Sequence, residues 1–390
     1  MMAPSRSAKA CSRLGDFLQI MPHDVQSLGQ NFQVEGDFHG AEPFGSGHIN
    51  DTYRACYRDR DITRDYLLQR INHHVFKSPE KVMENMQKVT AHLWEKIRQA
   101  GEEDPGRRCL RLISKHEGDY LHQDSDGNYW RAMDCISGVE TFDTVQNPEQ
   151  AYEAARAFGR FQRLLLDFPV SDLHDTIPDF HHTPRRFQRF LEVIREDPAN
   201  RAAATVAEIQ FLQERQGQAS RLLDLHSAGN LPLRVTHNDT KLNNVLFDGG
   251  TGEGICVVDL DTVMPGLAAY DFGDLVRTAA TTAAEDEADL SRVRMDLGLF
   301  RELVRGYLDA VGGALEEAEV RNLAFSARLI TLEIGMRFLT DHLEGDVYFK
   351  VHRVGHNLDR ARNQFALVRS MEAQASEMEQ VVEDCRACVS

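Results

Sequence analysis

The sequence predicts an α+β chain of two lobes, a small strand-rich one followed by a larger helical one. Three observations predict it. Up to about residue 135, short apolar runs alternate with turns and only one clear helical pattern occurs. Beyond about residue 148, apolar residues recur at helical spacing almost throughout, with a strand island near 235–258. The 390-residue length suits two lobes better than one core.

Composition narrows the class. With 42% hydrophobic and 27% charged residues, the chain can build a large core without metals or disulfides. The formal charge of −17, from 61 acids and 44 bases, argues against nucleic acid or an anionic membrane as the main partner. A polyanionic substrate would then have to meet local cations or a metal. No apolar run approaches the ~18 residues of a membrane span. The start, "MMAPSRSAKACSRLG", lacks the apolar stretch of a signal peptide and reads as a disordered arm over residues 1–15. Seven scattered cysteines fit a reducing, cytoplasmic setting. Cys385-x-x-Cys388, with no second pair, reads as a loose tail.

The elements follow in order. The first lobe is placed at 16–137. "EPFGSGHINDTYRACY" reads as strand, Gly-rich turn and strand, and "DYLLQRIN" as a third strand. After Pro79, Val82, Met86, Val89 and Leu93 mark a helix from Lys81 to about Ile97. "CLRLIS" and "GDYLHQDSDGNYWRAMDCI" read as strands, with a hairpin turn at Asp126-Gly127. "SGVETFDTVQNP" reads as a linker that opens the second lobe, 138–390. Ala154, Phe158, Phe161 and Leu165 then share a helix face. Helices continue to about 228, with a break near 178–184, and resume from Asp289 to about 380.

The chemistry concentrates in "VTHNDTKLNNVLFD", Val235 to Asp248, and its continuation "GGTGEGICVVDLDT". Two strands around a Gly-rich turn would bring Asn244 and Asp259 side by side. An amide oxygen and a carboxylate are hard ligands that suit Mg²⁺, which takes few protein oxygens and completes its shell with phosphate and water. Asp239 would face the same point, and Lys241 adds a positive charge. Phosphoryl transfer needs these parts: a carboxylate for the attacking hydroxyl, a metal on the phosphates, and a cation for the moving group. His237 reads as a loop anchor, with a chemical role left open. Asp261 is open between second metal ligand and structural acid. In "YDFGDLVR", Asp271 or Asp274 reads as a helix cap that braces the loop. Gly45, Ser46 and Gly47 form a turn whose backbone could approach phosphates.

Together these residues resemble the aminoglycoside phosphotransferase and choline kinase superfamily. The segments "GSGHINDTY", "FHHTPRRF", "LPLRVTHNDTKLNNVLFD", "VVDLDTVMPG", "DFGDLVR" and "GMRFLTDHLEGDVYF" look like its N-acetylhexosamine 1-kinase branch, over about Phe44 to Met371. The resemblance implies a bilobal protein-kinase-like fold, ATP and Mg²⁺ as cofactors, and phosphorylation of the anomeric hydroxyl of an N-acetylhexosamine. Asp239 would be the catalytic base, with Lys241 near the transferred phosphate and the sugar. Asn244 and Asp259 would hold the metal. His48, Arg337 and Tyr348 would contact the sugar together with Asp239 and Lys241. ATP would lie under the Gly-rich turn, its adenine against Met133 and Cys135. From the residues alone, Arg337 would sooner pair with Glu333 or Asp341.

One departure stands out. The third-strand lysine that grips nucleotide phosphates in protein kinases is absent. Gln69 holds the position, and Arg70 points to the opposite face. Two rivals therefore remain: a kinase for choline, homoserine, an aminoglycoside or another sugar, and a nucleotide-binding regulator without catalysis.

Overall fold

Alternation of side chains builds the first sheet. Tyr53, Ala55 and Tyr57 on β2 (Asp51–Asp59), Tyr66 and Leu68 on β3 (Ile62–Ile71), and Trp130 and Ala132 on β6 (Tyr129–Asp134) recur every second residue and are all buried. They enter one apolar cluster with Val25 and Leu28 of the short helix α1 (Val25–Gly29). Adding β1 (Asp37–Pro43), β4 (Leu112–Ile113) and β5 (His122–Gln123), the order is β1-β2-β3-β6-β4, with β5 also on β6. The pairs are antiparallel; Leu68 lies opposite both Tyr53 and Ala132. The turn into β6 uses Gly127 at φ 81, a conformation that favours glycine. Helix α2 (Pro79–Gln99) buries Val82, Met86, Val89, Leu93 and Ile97, the stripe that its spacing predicts.

These are findings on a computed structural model, which describes residues 23–45 and 49–389. The expected arm at 1–15, and Ser46, Gly47 and His48, lie outside the described residues. The chain divides into two compact units. The first runs through Glu140 and takes in Asp248–Thr251 and Ile255–Asp261; the second holds Thr141–Phe247, Gly252–Gly254 and everything from Thr262. The stretch expected to link two lobes contains a short strand, β7 (Val139–Glu140).

The second unit is helical. Asn147 caps α3 (Pro148–Leu164) by accepting from the Gln150 N–H. Ala154, Phe158, Phe161 and Leu165 are buried as the pattern predicts. Helix α8 (Leu297–Val311) lies so close to it that a Cβ at Gly306 would sit 2.2 Å from the Tyr152 carbonyl oxygen. Helices α4 (Thr183–Glu196), α5 (Val206–Gln213) and α6 (Arg221–Ser227) surround the long α10 (Leu323–Glu344), which is buried on most of its circumference.

The helices expected from Asp289 are present, and one expectation is corrected. The helical run from Asp289 is broken at Gly312 (φ 56) and Gly345 (φ 101), left-handed residues that terminate α8 and α10. Only the short α9 (Glu317–Arg321) stands between those two helices. The C-terminal end is not a loose tail. After α11 (His356–Ala373), α12 (Ala375–Val389) buries Met378, Val381, Val382 and Cys385, a helical stripe that the charged residues around it obscure. Cys388 is exposed. No helix among the described residues is long and apolar enough to cross a membrane.

Candidate active site

The loop His237–Asn244 starts from a two-stranded ladder of β8 (Arg234–Thr236) and β11 (Met264–Gly266). It is held from below by one carboxylate. Asp271 Oδ2 accepts from the His237 N–H at 2.8 Å and Oδ1 from the Asn238 N–H at 2.7 Å. The Thr240 hydroxyl donates to the Asp271 carbonyl. Burial pushes the Asp271 carboxyl above its ordinary value, against the pull of His237 and the two N–H groups. Asp271 therefore braces the loop as expected, but it does not cap the helix. Helix α7 (Ala268–Ala279) begins three residues earlier, after Leu267, and Asp274 pairs instead with Arg277 at 2.7 Å.

Further bonds fix the turn. Asn238 takes φ 64, which asparagine tolerates better than most residues, and its amide donates to the Thr262 carbonyl at 2.9 Å. The Thr262 hydroxyl donates to the His237 carbonyl at 2.6 Å. The His237 ring is fully buried, edge-on to Phe158 and Phe161, and Nδ1 accepts from the Asp239 N–H at 3.3 Å. This is the geometry of an anchor.

Above these braces, Asp239, Lys241 and Asn244 meet. Lys241 Nζ lies 2.8 Å from Asp239 Oδ1 and 3.2 Å from Oδ2. Asn244 Nδ2 donates to the Asp239 carbonyl at 2.8 Å and approaches Oδ2 at 3.3 Å. That orientation leaves the Asn244 amide oxygen for another partner, as a hard cation requires. Desolvation pulls the Asp239 carboxyl up, but Lys241, with His237 and Arg277, holds the group below its ordinary value. Lys241 is raised, chiefly by Asp239. Asn243, without a role from sequence, donates to Asp143 at 3.1 Å.

Strand β9 (Val245–Asp248) lies in the second unit up to Phe247, while β10 (Gly254–Val257) enters the first unit at Ile255 and leads to Asp259 there. Asp248 ties the turn between these strands by accepting from the Gly250 and Thr251 N–H groups and pairing with Arg107. Asp259 has φ 61, strained for an aspartate and unsignalled by sequence. Asp261, two residues on, is 2% exposed; Oδ1 lies 2.5 Å from Arg131 Nη1 as an ion pair and Oδ2 accepts from Asn50 Nδ2 at 2.6 Å. Asp261 is thus engaged by Asn50 and Arg131, although its Oδ1 has no hydrogen-bond partner among the described residues.

The remaining residues expected in a nucleotide site also lie in this unit. Gly45 has φ 82 with open space around it, so glycine is needed there for its backbone alone. The Met133 side chain is buried between Leu67 and Leu112. Cys135 donates its N–H to the Asp65 carbonyl at 3.1 Å, and burial pushes its thiol up to about 11.

Of the residues expected at the acceptor, Asp239, Lys241, Arg337 and Tyr348 lie in the second unit, and His48 lies outside the described residues. Arg337 does not pair with Glu333 or Asp341. Glu333 accepts from His181 Nδ1 and the Thr183 hydroxyl, and Asp341 from the Val347, Tyr348 and Phe349 N–H groups. Arg337 instead faces the rings of Phe180, Tyr348 and Phe349 at 5.3, 5.8 and 5.5 Å. Arg186, to which sequence reasoning gave no role, is beside it. Burial, and then the Arg337 charge, lower the Arg186 guanidinium below its ordinary value. Arg186 donates to the Phe180 carbonyl at 3.0 Å, while its Nε is buried without a partner. The signal available was "FHHTPRRF", an arginine pair opening a helix.

Solved small-molecule kinases share this fold. An aminoglycoside phosphotransferase from Alicyclobacillus acidocaldarius is 14% identical, with 97% of this chain and 99% of that one covered at a TM-score of 0.58. A spectinomycin phosphotransferase, solved with ADP and spectinomycin, is 14% identical over 90% and 99% at 0.56. The choline kinase of Cryptosporidium parvum is 14% identical over 94% and 98% at 0.54. The Phosphotransferase enzyme family, APH, matches residues 40–307, and the chain belongs to it.

Proposed function

We propose that this phosphotransferase is an ATP- and Mg²⁺-dependent kinase that phosphorylates the anomeric hydroxyl of an N-acetylhexosamine. The observation that carries the reading is the braced loop on which Asp239, Lys241 and Asn244 meet. Asp239 accepts a hydrogen bond from the sugar's anomeric hydroxyl and takes its proton as the new O–P bond forms and the bond from the γ-phosphorus to the leaving ADP oxygen breaks. An anomeric hydroxyl is more acidic than an ordinary alcohol, so a carboxylate held ionised by Lys241 suffices. Lys241 also meets negative charge on the transferred group. Asn244 and Asp259 would hold Mg²⁺, which neutralises charge on the phosphates. The Gly45 turn, with Ser46 and Gly47, would cover the nucleotide, and Met133 and Cys135 would flank its base.

The acceptor side supports a sugar over a cation. Arg186 and Arg337 place two positive groups among aromatic faces, with Glu333 already engaged. Hydroxyl and carbonyl oxygens suit such donors, and aromatic rings suit the apolar face of a pyranose. A quaternary ammonium or a polyamine would meet like charge. Tyr348 and His48 complete the proposed sugar contacts. ADP release measured with N-acetylglucosamine, N-acetylgalactosamine, glucosamine and choline tests the substrate: turnover is expected with the first two. Turnover with choline and none with either N-acetyl sugar would overturn it. ATP binding without phosphorylation across a broad sugar panel would favour a regulator.

A further inference from the structure

The absent third-strand lysine leaves open what organises the nucleotide side of the first unit. Gln69, in its place, lies directly opposite Arg131 on β6 and accepts from Arg131 Nε at 2.9 Å. Gln69 Nε2 in turn donates to the Thr52 hydroxyl at 2.7 Å. Arg70 turns the other way and pairs with Asp51. Arg131 is 1% exposed. Its Nη2 also donates to Gln69, and its Nη1 faces Asp261 and the sulfurs of Met83 and Met86, the latter at 3.4 Å. The guanidinium is enclosed and cannot reach a phosphate. In protein kinases the corresponding charge is met by a glutamate from the helix of that lobe. Here α2 presents methionine sulfurs, and the carboxylate comes from Asp261 instead.

Asp261 reaches two functional segments at once. It lies two residues after Asp259, and its Oδ2 accepts from Asn50, the residue before β2. Asn50 is itself fixed, because its Oδ1 accepts from the Asn72 N–H at 2.9 Å. A buried charge whose partner is removed is strongly unfavourable, which ties Arg131 to Asp261.

We propose that Arg131 is a positioning residue that stands in for the absent lysine: through Asp261 it fixes the turn bearing Asp259 and Asn50 just before β2, without touching the nucleotide. The inference rests on Asp259 being a metal ligand. It differs from the lysine's role in acting on metal placement rather than on the phosphates.

The test is calorimetry of ADP binding with and without Mg²⁺, with adenosine as a ligand that needs no metal, and Mn²⁺ binding in the presence of ADP by electron paramagnetic resonance. The variants are R131M, D261N and R131M/D261N; the double variant removes both buried charges together, so it folds even where a single variant does not. Support is a Mg²⁺-dependent gain in ADP affinity reduced at least about tenfold in the double variant, as for lost supports of metal ligands, with adenosine affinity within about twofold of wild type. R131M/D261N that keeps the full gain, or loses adenosine binding equally, overturns the proposal. Wild-type protein with no Mg²⁺-dependent gain overturns the metal role of Asp259 and the proposal with it.

Discussion

The loop around Asp239 and the surroundings of Arg337 are both lined with polar groups, yet they are satisfied in opposite ways. In the loop, nearly every bracing atom has a protein partner: Asp271 takes two backbone N–H groups, Thr262 and Asn238 exchange bonds across the turn, and Lys241 sits on Asp239. Around Arg337 the nearby acids are already engaged, Arg186 Nε is left buried without a partner, and aromatic faces take the place of acceptors. The difference teaches a division of labour. Under the proposed function, the groups assigned to the chemistry are held in place before substrate arrives, while those assigned to recognition keep hydrogen-bonding capacity in reserve.

Substitutions can break that comparison. D239N should lower kcat by about 10³-fold or more, with ATP and sugar affinities within a few-fold by calorimetry. Near-wild-type turnover would remove Asp239 from the chemistry. D271N places an amide donor against two backbone donors. It should cost roughly 2–4 kcal/mol in denaturant unfolding and lower kcat even in the folded protein, because the loop beneath Asp239 is released.

R337M removes a cation that makes no close ion pair among the described residues, although its charge helps to keep buried Glu333 ionised beside His181 and Thr183. It should raise KM for the sugar about 10-fold or more while the melting temperature shifts by only a few degrees, since no buried acid is orphaned. A large stability loss with KM unchanged would make Arg337 structural and erase the contrast.

The smallest effect concerns pH. A base works ionised, so rate is kept above its folded pKa and lost as pH falls through it. With Lys241 holding Asp239 below the ordinary carboxylate value, the acid limb of kcat/KM should fall below that value. In K241M, desolvation acts unopposed by that charge, and the limb should move to higher pH. A limb that stays in place would separate Lys241 from Asp239 ionisation.

Much of this was legible from sequence because it is local. The period of two in Tyr53, Ala55 and Tyr57 marked a half-buried strand, and Val82, Met86, Val89 and Leu93 marked α2. The spacing from His237 to Asn244 put Asp239, Lys241 and Asn244 on one short loop, where they meet. What escaped reading depends on partners far along the chain. Asp271 resembled a cap because it lies near a helix start, but its partners are 33 and 34 residues earlier. Arg337 was expected to pair with a neighbour on its own helix, but Glu333 is taken by His181 and Thr183 far back in the chain, and Asp341 by N–H groups of the turn that follows the helix. Arg131 looks like an ordinary strand residue until β6 is set beside β3. Cys385 looked like tail because its apolar stripe is sparse among acids.

The central claim is that the hydroxyl at Asp239 is the anomeric one of an N-acetylhexosamine. Proton-coupled ³¹P NMR of the product made from N-acetylglucosamine or N-acetylgalactosamine and ATP tests it most directly. The account predicts a sugar 1-phosphate whose phosphorus couples to the anomeric proton, formed by wild type and not by D239N. Phosphate on any other hydroxyl, or the same product formed at an undiminished rate by D239N, would contradict it.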